Sequence, residues 1–76
     1  MRYDEEFGER VKHLRKMRGM TQGELAERID CCASYISRIE KYGRLPCVGY
    51  ILALANTLGT PIDQLLNIDL NEEVDE

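Results

Sequence analysis

Between Thr21 and Pro46 the chain reads TQGELAERIDCCASYISRIEKYGRLP, and no other stretch constrains the fold as tightly. Thr21 followed three residues later by Glu24 is a capping box. Each side chain can satisfy a backbone N–H that the first helical turn leaves without a partner. Leu25, Ala26 and Ile29 then recur at helical spacing, which predicts a helix over about residues 22–29. Asp30 takes the turn position, where the backbone must turn left-handed; Asp tolerates this better than most residues and worse than Gly. A second run starts near Cys32 and Ala33 and continues to about Lys41. It has Ile36 and Ile39 inward and Ser34, Ser37, Arg38 and Lys41 outward. Gly43 and Pro46 end it and turn the chain. The stretch is two short amphipathic helices joined by a tight turn.

The flanking sequence follows the same period. From Tyr3 to Met17 the apolar residues Tyr3, Phe7, Val11, Leu14 and Met17 form one stripe, with Asp4, Glu5 and Glu6 near the helix start and bases near its end, as the macrodipole favours. Gly19 is expected to stop this helix. A fourth helix is predicted over residues 48–58, with Ile51, Leu52, Leu54, Ala55 and Leu58 apolar and Gly59 as its stop. A fifth follows, capped by Thr60 with Pro61 at its first position and Ile62, Leu65 and Leu66 on its buried face. No period-two pattern persists anywhere, so the chain reads as all-α: a compact five-helix domain over residues 1–68 with an acidic tail over 69–76.

Composition narrows the class. The 76 residues are 43% hydrophobic and 32% charged, a globular balance that allows one small core and no separate effector domain. No run approaches the ~20 apolar residues of a membrane span, and the N-terminus has no apolar signal region, so a cytoplasmic protein is expected. Cys31, Cys32 and Cys47 make a poor disulfide framework, being odd in number with two adjacent. With the single His13 they offer no workable zinc spacing, so they are expected to be small buried apolar residues or bystanders, with no metal or cofactor. The net charge of −4 is unlike the usual footprint of a nucleic-acid binder, but the charges are segregated. Residues 61–76 carry six acids and no base, whereas Arg10, Lys12, Arg15, Lys16 and Arg18 are five bases with no acid among them. With a Debye length of about 8 Å in physiological salt, acidic ends need not cancel a basic face elsewhere on the domain, although they weaken non-specific binding.

The strings LRKMRGMTQGELAERI, SYISRIEKYGRLP and ILALANTLGTPIDQLL together resemble the lambda-repressor-like helix-turn-helix family, of the phage repressor/Cro and xenobiotic-response-element type, over about residues 7–68. The matching elements are T-Q-x-E-L-A at 21–26, I-S-R-I-E at 36–40, Pro46 and L-A-x-x-L-G at 54–59. The resemblance implies that the third helix enters a DNA major groove with Ala33, Ser34, Ser37 and Arg38 facing bases. Of these, Arg38 is the one able to hold guanine O6 and N7 together. It implies phosphate contacts from Thr21, Gln22, Lys41, Tyr42 and Arg44, and a structural ion pair between Arg15 and Glu40 bracing the first helix against the third. Two departures stand out: Asp30 replaces the usual turn Gly, and Tyr42 stands where a Gly is usual, with Gly43 one step later. A shifted end to the third helix is expected.

The function expected from this likeness is sequence-specific binding of double-stranded DNA by a transcriptional regulator, a repressor, acting as a homodimer on a pseudo-palindromic operator. One small domain makes few base contacts, and paired half-sites about 34 Å apart multiply them. Leu58, Leu66, Ile68 and Leu70 exceed what one small core needs and are the candidate dimer interface, with core packing as the alternative, above all for Leu58 and Leu66. The alternative is an antitoxin or other protein-interaction module of the same fold that also binds DNA, with the acidic tail meeting a basic protein partner. An enzyme is not expected, since no nucleophile–base set or phosphate-binding Gly loop is present.

Overall fold

The computed structural model describes residues 5–66. Five helices follow in order: α1 Glu5–Met17, α2 Gln22–Arg28, α3 Ala33–Tyr42, α4 Val48–Leu58 and α5 Ile62–Leu66. Tyr3, Ile68, Leu70 and the expected boundary after residue 68 lie outside the described residues.

The helix ends explain why the chain turns where it does. Thr21 and Glu24 form the reciprocal capping box, with Thr21 Oγ1 accepting from Glu24 N at 3.0 Å and Glu24 Oε1 accepting from Thr21 N at 2.9 Å. At the other end of α2, Asp30 adopts φ 65, the only positive φ among the described non-glycine residues. Asp30 N–H donates to Glu27 O at 3.3 Å and Cys31 N–H to Ala26 O at 2.9 Å, the paired bonds of a Schellman motif. The same pairing closes α1 at Gly19 and α4 at Gly59. α3 runs one residue beyond the expected Lys41, because Gly43, at φ 71, supplies the left-handed end there.

Phe7 and Val11 of α1, Leu25 of α2, Ile36 and Ile39 of α3, Leu54 and Leu58 of α4 and Leu65 of α5 meet in one core, each at most 1% exposed. Met17 is not part of it. It is 70% exposed, because a 3.6-residue period carries it about 120° round α1 from Val11. Met20, beyond the turn and 8% exposed, fills in instead. Of the two readings open for Leu58 the core holds: at 1% exposure it has no surface to offer a second chain. The cysteines divide between the two expected roles. Cys31 is half-buried after the Asp30 turn, but Cys32 and Cys47 are exposed, each just before a helix.

The position that sets the packing is one the apolar pattern does not mark. α1 crosses α3 at Gly8, where an added Cβ would lie 2.5 Å from Ile39 O, 2.9 Å from Glu40 O and 3.1 Å from Gly43 Cα. Backbone meets backbone at that point. Arg10 adds a tie to α5, donating from Nε to Leu65 O at 2.7 Å, where a helix C-terminus favours a cation.

Candidate nucleic-acid interface

The close α1–α3 crossing brings Arg15 to Glu40. Arg15 Nε lies 2.6 Å from Glu40 Oε2 and Nη2 lies 3.1 Å from Oε1, a two-pronged pair in which Arg15 is 7% and Glu40 9% exposed. Arg15 Nη1 donates to Met20 O at 2.7 Å, so the guanidinium also fixes the turn before α2. Burying two charges costs several kcal/mol in desolvation, and only such complete hydrogen bonding offsets it.

Gln22, expected at a DNA phosphate, joins this network. Its Nε2 donates to Glu40 Oε1 at 3.0 Å. The side chain is turned inward and locks the start of α2 to α3. The sequence places a Gln at the right position but cannot show which way its amide faces.

With α1, α2 and α3 fixed together, α3 presents an outward row. Ala33, Ser34 and Arg38 are exposed, whereas Ser37 is half-buried. Ser34 Oγ lies 3.2 Å from Cys32 Sγ at the start of the helix. Hydrogen bonds from the Ser34 hydroxyl and the Tyr35 backbone hold the Cys32 thiol below the usual thiol range. Burial, with Cys32 and Asp30 nearby, pushes Cys31 up. Along the second half of α3 and just beyond it, Arg38, Tyr42 and Arg44 line an open cleft of about 640 Å³ together with Glu5, an acid that no local pattern places there. Thr21 and Lys41 are exposed, and Lys41 Nζ sits 5.4 Å from the Tyr42 ring centroid.

Two further features escape sequence reasoning. Tyr50 of α4 packs its ring 5.2 Å from that of Tyr35 and donates from its hydroxyl to Asp30 O at 3.4 Å, tying α4 to the turn between α2 and α3. Lys12, on α1, joins Gln22, Ser37, Glu40 and Lys41 around a second, smaller cleft. Only the tertiary crossing makes neighbours of these residues, so no local pattern marks them.

Among the described residues no group of three or more His, Cys, Asp or Glu is placed to hold a metal ion, and no helix is long and apolar enough to cross a membrane. The arrangement is a rigid pair of helices with a polar, partly cationic outer face, suited to an anionic, grooved partner.

Known proteins share this arrangement. A family model described as a helix-turn-helix domain matches residues 6–67. The immunity repressor protein of Bacillus phage phi105 is 34% identical over 59 residues, covering 78% of this chain; the match spans 41% of that relative's own length. Among solved structures, the N-terminal DNA binding domain of SinR from Bacillus subtilis superposes with a TM-score of 0.77 at 28% identity, covering 91% of this chain and 100% of that one. The P22 c2 repressor, crystallised in complex with a synthetic operator, gives the same TM-score, identity and coverage. The family match over most of the chain and the five-helix architecture agree: this chain belongs to the lambda-repressor-like helix-turn-helix family.

Proposed function

We propose that this chain binds double-stranded DNA sequence-specifically as a transcriptional regulator, a repressor, with α3 in the major groove and two copies on a pseudo-palindromic operator. The observation that carries the reading is the exposed row Ala33, Ser34 and Arg38 on a helix whose orientation is fixed from behind by the buried Arg15–Glu40–Gln22 network. The likeness to the P22 c2 repressor, whose structure contains a synthetic operator, supports it. Arg38 is the base reader, because its guanidinium can grip one guanine edge with two parallel hydrogen bonds, worth about 1–3 kcal/mol against a wrong base. Thr21, Lys41, Tyr42 and Arg44 act on the backbone, where long or flexible donors are tolerated.

The second copy docks on apolar surface. Val48 and Leu52 are 68% and 51% exposed and lie one turn apart on α4. With half-buried Leu66 they replace Leu58 as the interface candidates.

Selection of wild-type protein against a random-sequence duplex library tests the whole reading, since it returns half-site and spacing together. Two similar half-sites in inverted orientation are expected. Arg38→Ala should lose preference at one base pair of each half-site while folding normally. Failure of the wild type to enrich any sequence at low salt would remove the reading, and an unchanged profile for Arg38→Ala would remove Arg38 from it.

A further inference from the structure

We propose that Lys12, Ser37 and Lys41 form a cradle for a single phosphodiester of the DNA backbone; this rests on the DNA-binding reading and extends it to a residue on α1. With Gln22 and Glu40 these side chains line an open cleft of about 250 Å³ where α1, α2 and α3 meet. The Glu40 carboxylate does not make the cleft acidic, since it already accepts from Arg15 Nε, Arg15 Nη2 and Gln22 Nε2 at 2.6, 3.1 and 3.0 Å. What remains is the charge of two lysines. Both are exposed, and among the described residues neither has a carboxylate within ion-pair distance. An uncompensated pair of ammonium groups beside a hydroxyl suits an anion with several acceptor oxygens.

Position selects the DNA backbone over a free anion. Ser34, Ser37 and Lys41 stand three and four residues apart, so they form one continuous row along α3 from the groove-facing start of the helix to the cleft. A duplex whose groove holds Ser34 would bring the strand bordering that groove along this row to Lys41. Lys12 then approaches the same strand from α1. The crossing at Gly8 and the Arg15–Glu40 pair hold the two helices in register, so both ammonium groups come from rigid supports. This assignment also moves Ser37 off the base-reading face, in keeping with its half-buried position.

The test is the salt dependence of binding of one copy to a duplex carrying a single half-site of the operator recovered by selection, measured by fluorescence anisotropy on the full chain. Lys12→Gln and Lys41→Gln should each weaken binding by up to about fivefold, the worth of one exposed ion pair. Because both lysines share one phosphate, the double variant should lower the slope of log K against log salt by about 0.9 rather than about 1.8. Lys12→Arg should keep the wild-type slope, since it keeps the charge, and the selected sequence should stay the same in every variant. A double variant with an unchanged slope shows that no phosphate sits in the cleft. A fall of about 1.8 shows two separate contacts and overturns the shared cradle. Absence of any operator for the wild type overturns the DNA-binding reading itself, a different result from either. Thermal melts of the variants, expected to match the wild type since both lysines are exposed, exclude misfolding as the cause.

Discussion

Replacing Gly8 by Ala is the sharpest probe of how this domain is held together. The new Cβ would sit 2.5 Å from Ile39 O, whereas ordinary contact begins at 3.4 Å, so α1 would have to withdraw from α3 by roughly 0.9 Å. Neither Ile39 O nor Glu40 O, 2.9 Å away, can rotate aside, since both belong to helical backbone. Withdrawal would pull Phe7 and Val11, both fully buried, off Ile36 and Ile39 and would stretch the 2.6 Å bond between Arg15 and Glu40. Overpacking costs about 1–3 kcal/mol, and strain on a buried ion pair places this case at or above the top of that range. Ala recovers about 1 kcal/mol over Gly inside a helix, which leaves a net loss of about 2 kcal/mol. For a domain this small, the midpoint of thermal unfolding should fall by about 8–16 °C. Urea unfolding followed by circular dichroism measures the same loss. Gly49→Ala is the control: Gly49 is also helical, but its added Cβ would meet nothing within 4 Å, so the variant should match or exceed the wild type. A Gly8→Ala protein as stable as the wild type would show that the crossing is not limited by this contact.

Three further outcomes follow from the geometry. Glu40→Ala strands Arg15 in its buried site and should cost about 3 kcal/mol in urea unfolding, while the double change Arg15→Met with Glu40→Leu should regain most of it; a single variant as stable as the double would contradict the account. Asp30→Gly removes a left-handed strain of about 1–2 kcal/mol and adds the smaller entropy cost of glycine, so the melting temperature should rise; a fall would mean that the Asp side chain contributes something the backbone angle does not explain. Cys32, held below the usual thiol range, carries more thiolate at neutral pH than Cys31, which is pushed up; iodoacetamide should label Cys32 ahead of Cys31, its rate climbing with pH from a lower pH than that of Cys31, and equal labelling of the two by peptide mass spectrometry would contradict this.

What could be read from the sequence was what short-range chemistry decides. The capping box, the left-handed Asp30 and the stop at Gly43 are each set by a few neighbouring residues, and periodicity alone placed the helices within about a turn. What escaped depends on elements meeting in space. Gly8 looks like a weak helix residue until its partner carbonyls on α3 are known. Leu58 and Val48 are both apolar residues of α4, but only the packing of α1 and α5 decides that the first is 1% and the second 68% exposed. Gln22 shows the limit at the site itself. Its position was legible from the motif, whereas its hydrogen bond to Glu40 depends on where α3 lies.

The division of labour on the outer face bears on how specificity would arise under the proposed role. Ala33 offers a methyl group and Ser34 a hydroxyl that hydrogen-bonds to several bases, so Arg38 alone carries a base code of any strength. The proposed backbone contacts, Lys12, Lys41, Tyr42 and Arg44, would outnumber it. Binding would then draw most of its energy from phosphates, and its salt dependence would be steep. A backbone-dominated contact still discriminates when the phosphates must reach fixed positions, because sequences differ in how readily the duplex bends or narrows to bring them there. The rigid mounting of α1 on α3 is what makes that mechanism available: donors on a loose support would follow any backbone, whereas donors held by Gly8 and Arg15–Glu40 require the DNA to come to them. Glu5, beside Arg38 and Arg44, makes the demand stricter by repelling a strand that strays from its path. Under the proposed role, the buried network behind α3 would thus be as much a part of recognition as the residues that face the groove.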